Sequence, residues 1–326
     1  MGKYKVVILD TPALDTEVEE QTLKELDVEL ILSPSRDEET SIRYVSDADA
    51  LVQDAAPVTE KVLEAAKKCK IVSELGIGVN NIDIPAATRR GIYVANVPDY
   101  CIDEVSDHAL ALVLALERKI NILDEKVKAG EWGLEEAKPI LRLRGQTYGI
   151  FGFGNIGHAV AKKAQAFGFN VIAADPFVSS EEAKRFGVEL VGFERLLRNS
   201  DVISIHASLS KSTQHMFNKE ALAKMKNTAY LVNVARGALV DQRALYNALK
   251  SGKIAGAALD VVEKEPPELD EPLFSLDNIV LTPHVAYYSE TSYIEVRKRA
   301  LGEVVRVLKG GEPQNWLNRR DMTERK

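Results

Sequence analysis

Arg236, His284 and an acid between them, Asp260 or Glu265, could together hold an anion and move a proton. A guanidinium fork grips a carboxylate or carbonyl oxygen at two points. An imidazole gives and takes a proton near neutral pH, and a carboxylate beside it stabilises its charged form. Each residue also has a plain reading. Arg236 could be a surface cation, although its place between an apolar run and Gly237 leaves it little room, and Asp260 and Glu265 could be caps or solvated acids. His206 reads as a satisfied histidine at a strand end, and His108, His158 and His215, in helical or loop stretches, carry no chemistry in this reading.

A second constellation concerns phosphate. The apolar run 147–151 leads into Gly152-Phe153-Gly154-Asn155-Ile156-Gly157, and a further apolar run, 171–174, ends at Asp175, 23 residues after Gly152. Gly152 permits a tight turn, Gly154 lets backbone N–H groups approach a pyrophosphate, and Gly157 lets the next helix lie against the sheet. The helix start at Asn155 and Ile156 adds its dipole. Asp175 suits the hydroxyls of an adenosine ribose and repels a 2'-phosphate, which favours NAD over NADP. A tight turn in an unrelated α/β domain, or a methyltransferase loop, would share the glycines.

These residues need elements to carry them. Short apolar runs at 5–10, 28–33, 48–53, 70–74 and 92–97 form one series of strands. Runs at 147–152, 170–175, 201–206, 228–235, 254–259 and 278–283 form another, and amphipathic stretches separate them. Such alternation predicts an α/β protein with two doubly wound parallel sheets. The second series ends in Gly152, Asp175, His206, the Val234-Ala235-Arg236-Gly237 stretch, Asp260 and His284, and ligands bind beyond the carboxyl ends of parallel strands. Asp241 and Gly252 read as the two ends of one helix. A last helix with Ile294, Leu301, Val304, Val305 and Leu308 on one face is expected to return to the first domain. The run 109–116 lacks a polar face and predicts a helix buried all round, between domains or subunits.

The 326 residues suffice for two domains, and 45% hydrophobic content fits a globular chain. A net charge of -7 with no basic tract opposes binding to nucleic acid or anionic membrane. No run is long enough for a membrane span or, after Met1, for a secretory signal. Cys69 and Cys101 have no metal-ligand neighbours, so no metal is expected, and they read as reduced thiols of a cytoplasmic protein.

The stretches 231–237, 257–266 and 282–286 together resemble the signatures of the D-isomer-specific 2-hydroxyacid dehydrogenases. The loop 76–83, Asn96-Val97-Pro98, 105–108, Arg118 and 143–145 fall where that family has similar residues. The resemblance covers nearly the whole chain. It implies a flavodoxin-like substrate domain, 1–100 and 287–326, with a Rossmann NAD-binding domain, 101–286, inserted in it. It further implies NAD as cofactor, a small 2-keto or 2-hydroxy acid as substrate, and a homodimer.

Among the residues, the resemblance gives Arg236 the substrate's carboxylate and carbonyl oxygen, and His284 the proton. Glu265 would pair with His284, backbone N–H groups at Gly78 and Val79 would hold the carboxylate, and Val234, Ala235 and Asp260 would line the nicotinamide end. Closure of the domains would exclude water. The side-chain pocket would depend on 75–81, Tyr100, Trp132 and Tyr287. Ser208 stands where many members have proline and Asp107 where many have glutamate. Tyr287-Tyr288-Ser289-Glu290 is similar to the C-terminal-binding corepressor branch, which makes an NAD-dependent scaffold the second reading. The lack of a regulatory domain after the last helix argues against the longer phosphoglycerate enzymes.

Overall fold

Strands of four to six residues that are apolar on both faces can be stable only when both faces are covered, and parallel pairing with helical crossovers provides that. The computed structural model describes residues 4–10 and 15–323. The chain divides into two compact units, Met1–Tyr100 with Ser289–Lys326, and Cys101–Tyr288.

In the first unit β1 (Tyr4–Leu9), β2 (Val28–Leu32), β3 (Ala50–Gln53), β4 (Ile71–Glu74) and β5 (Tyr93–Ala95) form a parallel sheet in the order β2-β1-β3-β4-β5. Period-two alternation sorts their side chains. Val7, Leu9, Leu51 and Val72 face one core with Val62 and Leu63, while Val6, Ile8, Val52 and Ile71 face another with Leu301, Val304 and Leu308. The second core is closed by the helix Glu290–Leu308. Its buried stripe differs from the expected one: Ile294 is exposed, and Val296, Ala300, Leu301, Val304, Val307 and Leu308 are buried. Arg297 is buried on the same face because it pairs with Glu19, an ion pair that hydrophobic periodicity cannot reveal.

The second unit holds β6 (Thr147–Phe151), β7 (Asn170–Ala174), β8 (Glu189–Leu190), β9 (Val202–Ile205), β10 (Tyr230–Asn233), β11 (Gly256–Leu259) and β12 (Ile279–Leu281). All pair in parallel, in the order β12-β11-β10-β9-β6-β7-β8. The order reverses between β6 and β9, so the crevice of a doubly wound sheet opens above the glycine loop. The helix Ile102–Arg118 packs on the helix Asn155–Ala166 and on β10 and β11. Within this unit the run 109–116 is not covered all round: Ala111 is exposed and Leu114 and Ala115 are half-buried. The covered face carries Val105, Ser106, Ala109, Leu110, Leu112, Val113, Leu116 and Glu117, as helical spacing dictates once the sheet lies on one side.

Candidate active site

The glycine loop follows β6 directly. Gly152 has φ +93°, and a Cβ there would lie 2.4 Å from the Ala207 nitrogen. A Cβ on Gly157 would lie 2.5 Å from the Gly152 carbonyl oxygen, so both glycines permit close backbone approach. Gly154 differs, because a Cβ there would meet nothing within 4 Å. It is the N-cap of the helix Asn155–Ala166, and no side chain caps that helix. Open space therefore lies over backbone donors at a helix start, the arrangement a pyrophosphate fits. Asp175, at the end of β7, accepts from the Phe153 nitrogen (2.8 Å) and the Phe177 nitrogen (2.9 Å). Those bonds fix the carboxylate beside the loop, and it retains lone pairs for ribose hydroxyls. The residues present thus suit a dinucleotide.

Beyond β10 the backbone is shaped by Asn233, which the sequence reading passed over. Its Oδ1 accepts from the Ala235 nitrogen (3.0 Å) and its Nδ2 donates to the Arg236 carbonyl (2.9 Å), turning the chain after buried Val234. The Arg236 guanidinium donates from Nη1 to the Ala235 carbonyl at 2.7 Å. At Gly237 a Cβ would fall 2.0 Å from the Val262 carbonyl, so the glycine lets the Arg236 turn lie against the loop that carries Glu265. The Val262 nitrogen donates to Glu265 Oε1 (3.0 Å), and Glu265 Oε2 lies 2.6 Å from His284 Nδ1. Burial opposes ionisation of Glu265. The His284 hydrogen bond and charge, the Val262 N–H and the Arg236 charge outweigh it and hold the carboxyl below its ordinary value. Of the two acids that sequence left open, Glu265 is the one at the imidazole. His284 Nε2 makes no hydrogen bond among the described residues and remains available to a ligand.

Asp260 serves the loop instead. It is 2% exposed, and its carboxylate accepts from Thr282 Oγ1 (2.6 Å), the Val285 nitrogen (3.0 Å) and the Ala286 nitrogen (2.9 Å). Its carbonyl accepts from the His284 nitrogen at 2.8 Å. His284 has φ +55°, an uncommon conformation for a residue with a Cβ, and these bonds hold it there. His108, dismissed from sequence, lies 3.0 Å from Thr282 Oγ1 through its Nε2. His206 Nε2 lies 2.7 Å from Ser204 Oγ, while its Nδ1 is buried without a partner among the described residues, so the expected satisfied histidine is only half satisfied. Burial pushes its pKa down to about 3, which keeps the ring neutral. His158 stacks on Phe186 with ring centroids 3.9 Å apart, and His215 lies 3.2 Å from Glu263.

The remaining sequence candidates are placed separately. Tyr287 lies with its ring 6.3 Å from that of His284, and Trp132 is 91% exposed. Gly78 and Val79 follow β4 in the first unit, as does buried Tyr100 after β5. Their loop is pinned by Asn96 Nδ2 to the Ile77 carbonyl (2.7 Å) and by the Val97 nitrogen to the Gly76 carbonyl (2.9 Å). Among the described residues no cluster of metal-ligating side chains occurs, and no helix is long and apolar enough to cross a membrane.

A doubly wound sheet with a glycine cradle and a ribose-spaced acid, and an imidazole–carboxylate pair on the same rim, is the architecture of a dinucleotide-binding domain. Residues 110–286 match the model of the NAD binding domain of D-isomer specific 2-hydroxyacid dehydrogenases. The chain belongs to that family, and this segment is its NAD-binding domain. It is 42% identical over 313 residues to a D-3-phosphoglycerate dehydrogenase of Archaeoglobus fulgidus, covering 96% of this chain but only 59% of that protein. A hydroxypyruvate reductase of Thermotoga maritima is 38% identical over 94% of this chain and 97% of its own length. The crystal structure of a D-lactate dehydrogenase from Aquifex aeolicus, complexed with NAD and lactic acid, superposes with TM-score 0.85 at 30% identity, covering 94% of this chain and 96% of that one.

Proposed function

We propose that the chain interconverts a small 2-keto acid and its D-2-hydroxy acid with NAD. The observation that carries this reading is the 2.6 Å pair of His284 Nδ1 and Glu265 Oε2, which leaves Nε2 as the proton-handling atom. Bound NADH supplies the hydride. In the reductive direction His284 Nε2 gives a proton to the carbonyl oxygen, and Glu265 stabilises the imidazolium before that step. Arg236 holds the carboxylate and carbonyl oxygen through its fork. Gly152, Gly154, Asn155, Ile156 and Gly157 cradle the pyrophosphate, Asp175 takes the ribose, and Val234, Ala235 and Asp260 belong to the nicotinamide end. Gly78 and Val79 offer backbone donors to the substrate carboxylate, on the strength of the family motif they share.

Phosphoglycerate, glyoxylate or hydroxypyruvate, and D-lactate are the substrate classes this reading admits. The dehydrogenase and reductase relatives support catalysis over the NAD-dependent scaffold. We also read the protein as cytoplasmic, since both cysteines are buried, neither forms a disulfide among the described residues, and burial raises the Cys69 thiol to about 12. The partly uncovered helix Ile102–Arg118 supports a homodimer, and light scattering on the eluting protein would show monomer mass if that is wrong.

Activity is tested with NADH and a panel of glyoxylate, hydroxypyruvate, 3-phosphohydroxypyruvate and pyruvate, in wild type and His284→Ala. Turnover of at least one acid is expected, falling about 10²- to 10⁴-fold in the variant while NADH affinity is kept. Tight NADH binding with no turnover of any 2-keto acid would favour the scaffold.

A further inference from the structure

His284 is held by a loop whose anchor is Asp260, and Asp260 is in turn joined to two residues with no place in the proposed chemistry. Thr282 Oγ1 lies 2.6 Å from Asp260 Oδ1, and His108 Nε2 lies 3.0 Å from the same hydroxyl oxygen and 3.6 Å from Asp260 Oδ1. The proton positions follow from the inventory of donors. Thr282 Oγ1 donates to Asp260 Oδ1, so its one hydroxyl proton is committed to that bond. Thr282 Oγ1 can then only accept from His108, and Nε2 of His108 must carry a proton. The chain of donors runs one way, from His108 to Thr282 to Asp260.

We propose that His108 and Thr282 are positioning residues for His284, acting through Asp260. Asp260 is almost fully buried, and its carboxylate also accepts from the Val285 and Ala286 nitrogens, the two that follow His284. With its orientation fixed by Thr282, the carboxylate sets where those two N–H groups lie, and so where the left-handed turn at His284 places the imidazole. Without the hydroxyl, the carboxylate can rotate, and the proton-handling atom loses its fixed place. Proton transfer is sensitive to such displacement, whereas cofactor binding at the glycine loop is not. The inference rests on the catalytic reading of His284, and one arm of its test does not.

Thr282→Val keeps the shape and removes the hydroxyl, and Thr282→Ser restores it. In keto-acid reduction Thr282→Val is expected to lower kcat about tenfold or more, with KM for the acid changed less than about twofold. Thr282→Ser should return kcat to within about twofold of wild type, and His108→Ala should fall in the direction of Thr282→Val. An unchanged kcat in Thr282→Val, or equal loss in both threonine variants, would overturn the proposal.

The second arm needs no turnover. Long-range proton–nitrogen NMR on the five histidines of the wild type should show His108 protonated at Nε2. In Thr282→Val the Val285 and Ala286 amides should exchange faster. A His108 ring protonated only at Nδ1, or unchanged exchange at both amides, would also overturn it. If the wild type reduces no 2-keto acid but this arm gives the expected result, the dehydrogenase reading fails and the network stands.

Discussion

Glu265 and His284 meet at 2.6 Å with side chains 33% and 42% exposed, so water moderates the pair without abolishing it. The direction of the Glu265 shift fixes the pH behaviour. Its folded pKa lies below the ordinary value of 4.5, so the stabilisation it contributes is present above that value and lost as pH falls through the lower folded one. Across the neutral range the carboxylate is therefore charged whenever His284 needs it. Replacing it by an amide removes the charge that favours imidazolium and keeps the shape. In Glu265→Gln the basic limb of the pH profile for keto-acid reduction should move to lower pH, while NADH affinity stays as it was. A limb that does not move would show that the short contact has no part in proton transfer.

At the scale of elements, the tightest demand falls on the turn from β6 into the helix Asn155–Ala166. Gly152 combines φ +93° with a backbone neighbour at 2.4 Å, and neither can be relieved by a side-chain rotation. Gly152→Ala should cost at least about 2 kcal/mol of stability and displace the phosphate cradle. Calorimetry should show NADH affinity falling about tenfold or more, and an alanine variant with wild-type affinity would mean that the loop is not the cradle. This element was legible in the sequence because each glycine's task is local and fixed by its neighbours in the chain. The alternating strands were legible for the same reason. The two-residue β8 was not, since two residues carry no period, and the Ile294 position was misjudged because local spacing does not say which flank a helix turns inward. The roles of Asn233, Thr282 and His108 were hidden more deeply. His108 meets a hydroxyl 174 positions later, a relation set by tertiary packing alone.

At the scale of the whole molecule, the first unit is built from both ends of the sequence, and the helix Glu290–Leu308 covers one face of a sheet that begins at Tyr4. The Tyr4 hydroxyl donates to the Leu308 carbonyl (3.1 Å), and Asn318 Oδ1 accepts from the Val94 nitrogen (3.0 Å). The costliest link is Arg297 with Glu19, 5% and 1% exposed and joined by Nε to Oε1 at 2.7 Å across 278 positions. A buried pair of this kind gains little over apolar residues of similar size, because desolvation offsets most of the attraction. Removing one partner, by contrast, strands the other charge in a dry interior. Arg297→Met alone should lower the unfolding free energy of this unit by about 3–5 kcal/mol, and adding Glu19→Met should recover most of that loss. Two tryptophans make the measurement specific: Trp132 is exposed and lies in the second unit, so in a Trp132→Phe background urea-induced fluorescence change comes from Trp316 in the first. Equal destabilisation in the single and double variants would mean that the loss comes from the other Arg297 contacts, its bond to the Asp15 carbonyl and its packing on Tyr293, whose ring lies 5.3 Å from the guanidinium, and not from the stranded carboxylate.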